Sequence, residues 1–189
     1  MDFSKWKAYT ANHMPTVQQL AAVYGVIVLI VYGWTIYWFA WKLPSWLYFL
    51  TLGEILSAFS YAMAVNFIES LIVLIVLILI CLLLPPRWFR DRFAALGSSL
   101  VVLSLVALMK YVGIIIALQG FPPGMGRSAL LAIVGIIFLV FLIGRINLFL
   151  RVIEEIANRT VIFLYIFLPI SAISFLVVLI RNIVEAFHG

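Results

Sequence analysis

"SWLYFLTLGEILSAFSYAMAVN" covers Ser45–Asn66, and its reading sets the number of times the chain crosses a membrane. The segment is apolar enough to be a span. Read as a helix, it is also two-faced: Thr51, Glu54, Ser57 and Tyr61 recur at spacings of three and four and form one stripe. Leu47, Leu50, Ile55 and Phe59 lie elsewhere. That pattern fits a helix lying in the membrane interface, or a span turning its polar stripe toward a bundle. Only Val65 and Asn66 separate it from the next apolar run, a tight link for two antiparallel helices. An interfacial helix over 45–66 is therefore favoured, although it lacks the Lys and Arg such helices usually carry. A sixth span is the alternative.

The surroundings place that segment in a membrane. Of 189 residues, 67% are hydrophobic and 10% are charged, whereas a soluble domain carries about 25% charged residues. A soluble fold of this size has too little interior to hide so much apolar surface. The apolar runs are continuous and do not alternate, so the backbone is helical rather than a barrel. The expectation is an all-α polytopic transmembrane helical bundle forming one integral membrane domain, 1–189. Five spans are favoured, at Val17–Trp41, Phe67–Leu84, Leu96–Leu118, Ser128–Leu150 and Thr160–Ile180. Pro15 reads as a helix-start residue, Pro85-Pro86 as a stop, and "QGFPPGMG" as a turn. Lys5 and Lys7 before an apolar stretch imitate a signal peptide, but that stretch is too long and ends in aromatics, so it reads as a retained span.

The net charge of +5 belongs to orientation rather than to nucleic acid. With five spans and the N-terminus inside, Lys5, Lys7, Arg87, Arg90, Arg92, Arg145, Arg151 and Arg159 are cytoplasmic, eight against the four of Lys42, Lys110, Arg127 and Arg181. With six spans and the N-terminus outside, the count is seven against five. The positive-inside rule prefers the first arrangement. Both put the Arg87–Arg92 and Arg145–Arg159 regions in the cytoplasm, and the cell membrane is the expected location. Trp34, Tyr37, Trp38, Trp41, Trp46 and Tyr48 suit an outer aromatic belt, and Trp88, Phe89 and Phe93 part of an inner one. The connection "GRINLFLRVIEEIANRT" reads as the fourth helix continuing past the membrane, with Arg151, Glu155 and Arg159 spaced to pair along one face.

Charges at membrane depth each need an account. Glu69 lies about two residues into the second expected span, close enough to the interface to reach water. Glu54 means little in a flat helix and would be a midplane carboxylate in a sixth span. Lys110 lies well inside its span, where it can snorkel outward or pair with Glu69 or Glu54. These three are the candidate binding residues. Pro169, with Ser171 and Ser174 after it, reads as a kink whose loosened backbone the serines satisfy. Ala58/Ala62 and Ser128/Ala132 have the spacing of close helix contacts. Cys81 reads as a small buried apolar residue.

No catalytic residue emerges. His13 and His188 lie near the chain ends, so two histidines cannot face each other across a haem inside the bundle. No His, Cys and carboxylate cluster has metal-ligand spacing, and Asp2 and Asp91 are too few and too far apart for a magnesium–diphosphate site. Neither a phosphate-binding glycine loop nor a Ser–His–Asp triad can be assembled. No cofactor and no metal are expected, and no nucleic acid. The expected partners are the lipid bilayer and other membrane subunits or further copies of the chain. The favoured function is a non-catalytic accessory or scaffold subunit of a larger membrane complex. A small transporter or substrate-binding component using Glu54, Glu69 and Lys110 is the alternative, and a lipid-modifying enzyme a further one.

Overall fold

A computed structural model describes residues 14–83 and 92–188, the side chains of 185, 186 and 188 excepted. Lys5, Lys7, His13, the Pro85-Pro86 stop and Arg87–Asp91, with Trp88 and Phe89, therefore lie outside the described residues. Six helices follow in order: α1 Val17–Phe49, α2 Leu52–Leu83, α3 Phe93–Leu118, α4 Met125–Arg145, α5 Asn147–Thr160 and α6 Ile162–His188. There is no strand among the described residues. Five helices are long and apolar enough to cross a membrane: α1, α2, α3, α4 and the α5–α6 run taken together as Asn147–Val184.

The segment 45–66 does not form a helix of its own. Ser45–Phe49 completes α1, which passes through Pro44, and Leu52–Asn66 is the first half of α2. The break falls at Leu50, which takes up extended backbone, and a capping box restarts the helix beyond it. The Glu54 carboxylate accepts from the Thr51 amide at 2.8 Å and the Thr51 hydroxyl at 2.9 Å, while the Glu54 amide donates back at 3.4 Å. Nothing interrupts Val65-Asn66, because neither residue breaks a helix. The polar stripe turns toward a neighbour instead of lying flat. Arg181 of α6 donates to the Ser57 hydroxyl, and Tyr61 donates to Asn182 at 2.8 Å. Of the possibilities the stripe allows, the structure realises the one facing a bundle.

The first helix is the hub. Its Thr16–Gln19 capping box closes the start, and Pro15 precedes that cap rather than opening the helix. From it, α2, α3, α5 and α6 all take contacts. Side-chain partners fix directions: Gly25 meets Thr160 at the end of α5 and Tyr32 meets Ser171 of α6, so the α5–α6 run passes α1 in the parallel sense. Thr35 meets Asn66 and Phe39 meets Phe59, so α2 runs antiparallel to α1. The core gathers at the end where α1 begins, here the near end. It comprises the α1 stretch from Ala22 to Tyr32, Leu77 and Cys81 of α2, Phe93 to Val101 of α3, and Leu150, Ala157 and Leu164, and it reaches Met63 farther along α2. Phe93 is fully buried there, so it belongs to the core and not to an interfacial belt.

Close approach rather than bulk sets the packing of this half. A Cβ on Gly25 would stand 2.8 Å from the backbone carbon and oxygen of Thr160, so only glycine lets α5 lie this near α1. Gly97 is packed less tightly: an added Cβ would stand 3.3 Å from a Leu77 methyl and 3.4 Å from a Val23 methyl. By contrast α4 buries no residue, and Ser128 is exposed, so the Ser128/Ala132 pair makes no tight contact. Nor does α4 project past the bundle. Ile146 turns extended after Arg145, and the Arg92 guanidinium caps the Gly144 carbonyl at 2.6 Å. Amphipathic α5 starts afresh, burying Leu150, Ala157 and Thr160 beneath an exposed Arg159–Glu155 bridge at 2.8 Å. Val161 keeps helical backbone (φ −54, ψ −28), so α5 runs on into α6.

Candidate functional site

Toward the opposite, far end the helices separate. Between α1, α2 and α3 they leave a groove of about 480 Å³, lined chiefly by Val31, Trp34, Leu105, Leu108 and Met109 and by the polar residues Thr35, Tyr61, Asn66 and Glu69. Helical spacing explains the lining: 105, 108, 109 and 112 are one face of α3, and 62, 65, 66 and 69 one face of α2.

Inside it, the Thr35 hydroxyl donates to Asn66 Oδ1 at 2.9 Å. Asn66 is 3% exposed, and its Nδ2 has no hydrogen-bond partner. An unpaired amide donor that deep is costly in an apolar setting. Deeper along α1 and α2 the Tyr24, Ser70 and Tyr32 hydroxyls are paired, whereas the buried Ser98 hydroxyl of α3 has no partner among the described residues. Ser70 donates to the Phe67 carbonyl at 2.9 Å, which leaves its oxygen to accept from Tyr24 at 3.3 Å. Tyr32 and Ser171 share a hydrogen bond of 2.6 Å, so that serine serves a tyrosine of α1 and not only the helix around Pro169. At the far rim, the Arg181 guanidinium lies 5.9 Å over the Tyr61 ring.

The three candidate residues have separate fates. Glu54 sits in the first turn of α2, exposed and engaged in the capping box, not at a midplane. Glu69 lines the groove. It lies 17 residues after Leu52 and 14 before Leu83, so it is mid-helix and not two residues from a helix end. Lys110 is 17 residues after Phe93 and 8 before Leu118, exposed, and not among the groove's lining. No ion pair joins Lys110 to Glu69 or Glu54 among the described residues. Thr35 and Asn66 are the site residues that pattern reading passed over. Asn66 looked like a boundary between two helices, when its setting in an unbroken apolar run was the signal.

Among the described residues no three His, Cys, Asp or Glu side chains gather where a metal could be held. The chain matches no known protein family, no curated protein and no solved structure.

Proposed function

We propose that the chain is a non-catalytic subunit, accessory or scaffold, of a larger assembly in a cell membrane, with the near end on the cytoplasmic side. One observation carries the reading: the tip of the α1–α2 hairpin. At 1.5 Å per residue α1 and α2 are each about 50 Å long, whereas about 20 residues suffice to cross the hydrocarbon core of about 30 Å. The remainder carries exposed Lys42, Thr51 and Glu54, but large apolar side chains stand out among them. Trp41 is 71% exposed, Tyr48 86%, Phe49 85% and Leu52 73%. Lipid tails cover such residues within the core, but beyond it this many large exposed apolar side chains suit a surface that another protein covers. The preference for the near end inside draws on Arg92, Arg145, Arg151 and Arg159, which cluster there.

Purification in mild detergent through a C-terminal tag, followed by mass spectrometry, tests this directly. A different protein should accompany the chain in fixed ratio, and Tyr48→Ser with Phe49→Ser should release it without loss of helicity. A chain that comes alone, with an unaltered profile in the tip variant, refutes the subunit role.

A further inference from the structure

Two opposite charges sit at one depth of the chain and do not meet within it. Glu69 lines the groove together with Met109 and Val112, and Lys110 lies between those two on α3, so the carboxylate and the ammonium are level along the bundle. Both are exposed, and neither forms an ion pair among the described residues. Lys110 is about 25 Å from the start of α3 at Phe93 at 1.5 Å per residue, inside a hydrocarbon core of about 30 Å laid from that end. A charge at such depth is retained where something answers it.

The groove beside Glu69 suits a cation. Asn66 is three residues before Glu69, hence on the same face of α2, but its amide is buried. The exposed Glu69 carboxylate is the acceptor that an ammonium with three donors would meet there. The chain carries such an ammonium at that depth. A two-fold axis along the bundle preserves depth, so it carries Lys110 of one copy to the level of Glu69 in the other. The α3 surface near Lys110 permits the approach: a Cβ on Gly113 would meet nothing within 4 Å, and Val106 and Ile114 are exposed.

We propose that the groove is one half of an isologous contact between two copies of the chain, the Lys110 ammonium of each copy bound by the Glu69 carboxylate of the other. The contact is separate from the hairpin tip and stands whether or not a different protein binds there.

Differently tagged copies co-expressed in one membrane test the pairing through the fraction that co-purifies. Wild-type copies should associate. Copies that all carry Glu69→Lys hold two cations at each contact, and copies that all carry Lys110→Glu hold two carboxylates. Each alone should associate about ten-fold less or weaker still. Mixed together, the two variants should associate as wild type does, because both pairs are then restored. The doubly exchanged chain, Glu69→Lys with Lys110→Glu, should recover as well. If the single variants do not accumulate, Glu69→Cys in one copy and Lys110→Cys in the other should be joined by a short bismaleimide in native membranes. Monomeric wild type, failure of the mixed variants to associate, or absence of the cross-link overturns the proposal. Rescue by the doubly exchanged chain but not by mixing would place the pair within one copy. Loss through Glu69→Lys alone, with Lys110→Glu silent, would give the groove to a soluble cation or a lipid amine. A different protein that co-purifies while copies of the chain do not sinks this pairing and leaves the subunit reading intact.

Discussion

At Gly25 the bundle is tightest, and one methyl group is enough to test it. Alanine there forces its Cβ against the Thr160 backbone, which is held in place by α5 and cannot swing aside as a side chain would. Gly25→Ala should destabilise the protein by about 1–3 kcal/mol, the usual range for overpacking, read as a lower melting temperature in detergent. Gly33, on the same helix with nothing within 4 Å of its added Cβ, is the control. Gly33→Ala should be neutral or gain about 0.5–1 kcal/mol from helix propensity. A second residue-scale test concerns Tyr32 and Ser171, bonded at 2.6 Å and both almost wholly buried. Ser171→Ala strands the phenol and should cost about 1–3 kcal/mol, whereas adding Tyr32→Phe removes the stranded group and should restore part of it. Purely additive losses in that cycle would show that the two hydroxyls act independently. Neither contact was legible beforehand. Gly25 and Tyr32 look like ordinary members of an apolar run, and their partners lie more than a hundred residues away.

Among the elements, length and apolarity made the helices legible, while their junctions depended on local chemistry. Continuous apolar runs give α3 and α4 close to where hydropathy puts them, whereas α1 runs on past Trp41 to Phe49, and Gly–Pro turn chemistry closes α3–α4 at Gln119 (φ 50) and Gly124 (φ 82). The reading of 45–66 went astray because a periodic polar stripe says which side of a helix is polar but not what that side faces. Thr51 and Glu54 were read as part of the stripe when T-x-x-E is also the mark of a helix beginning. Placing the start at Thr51 moves Glu69 from a helix end to mid-helix, and so changes the weight of the one carboxylate in the groove. The end of α4 rests on a single borrowed donor, the Arg92 guanidinium on the Gly144 carbonyl. Arg92→Ala should fray that last turn. Hydrogen exchange across Phe141–Arg145 should quicken while the middle of α4 keeps its protection. Uniform protection along α4 would mean that the cap contributes nothing there.

For the molecule as a whole, packing is uneven. The near half is a closed core around α1, and the far half is a set of helices parted by a groove and crowned by a hairpin tip with exposed aromatics. Composition reveals the membrane setting but not this division, which depends on where a few small residues let backbones touch. The far half holds the hairpin tip and the Glu69 and Lys110 charges, on which the two proposed contacts depend. The near half imposes an order in time. Its centre, α1, is made well before α5 and α6: two of its partners, Thr160 and Ser171, are 138 and 139 residues downstream of the groups they meet on α1. Until α5 and α6 are made, the notch at Gly25 and the hydroxyl of Tyr32 lack the partners that cover them in the finished bundle. A chain cut short before α5 and α6 should therefore be less stable than the whole rather than fold as a smaller bundle.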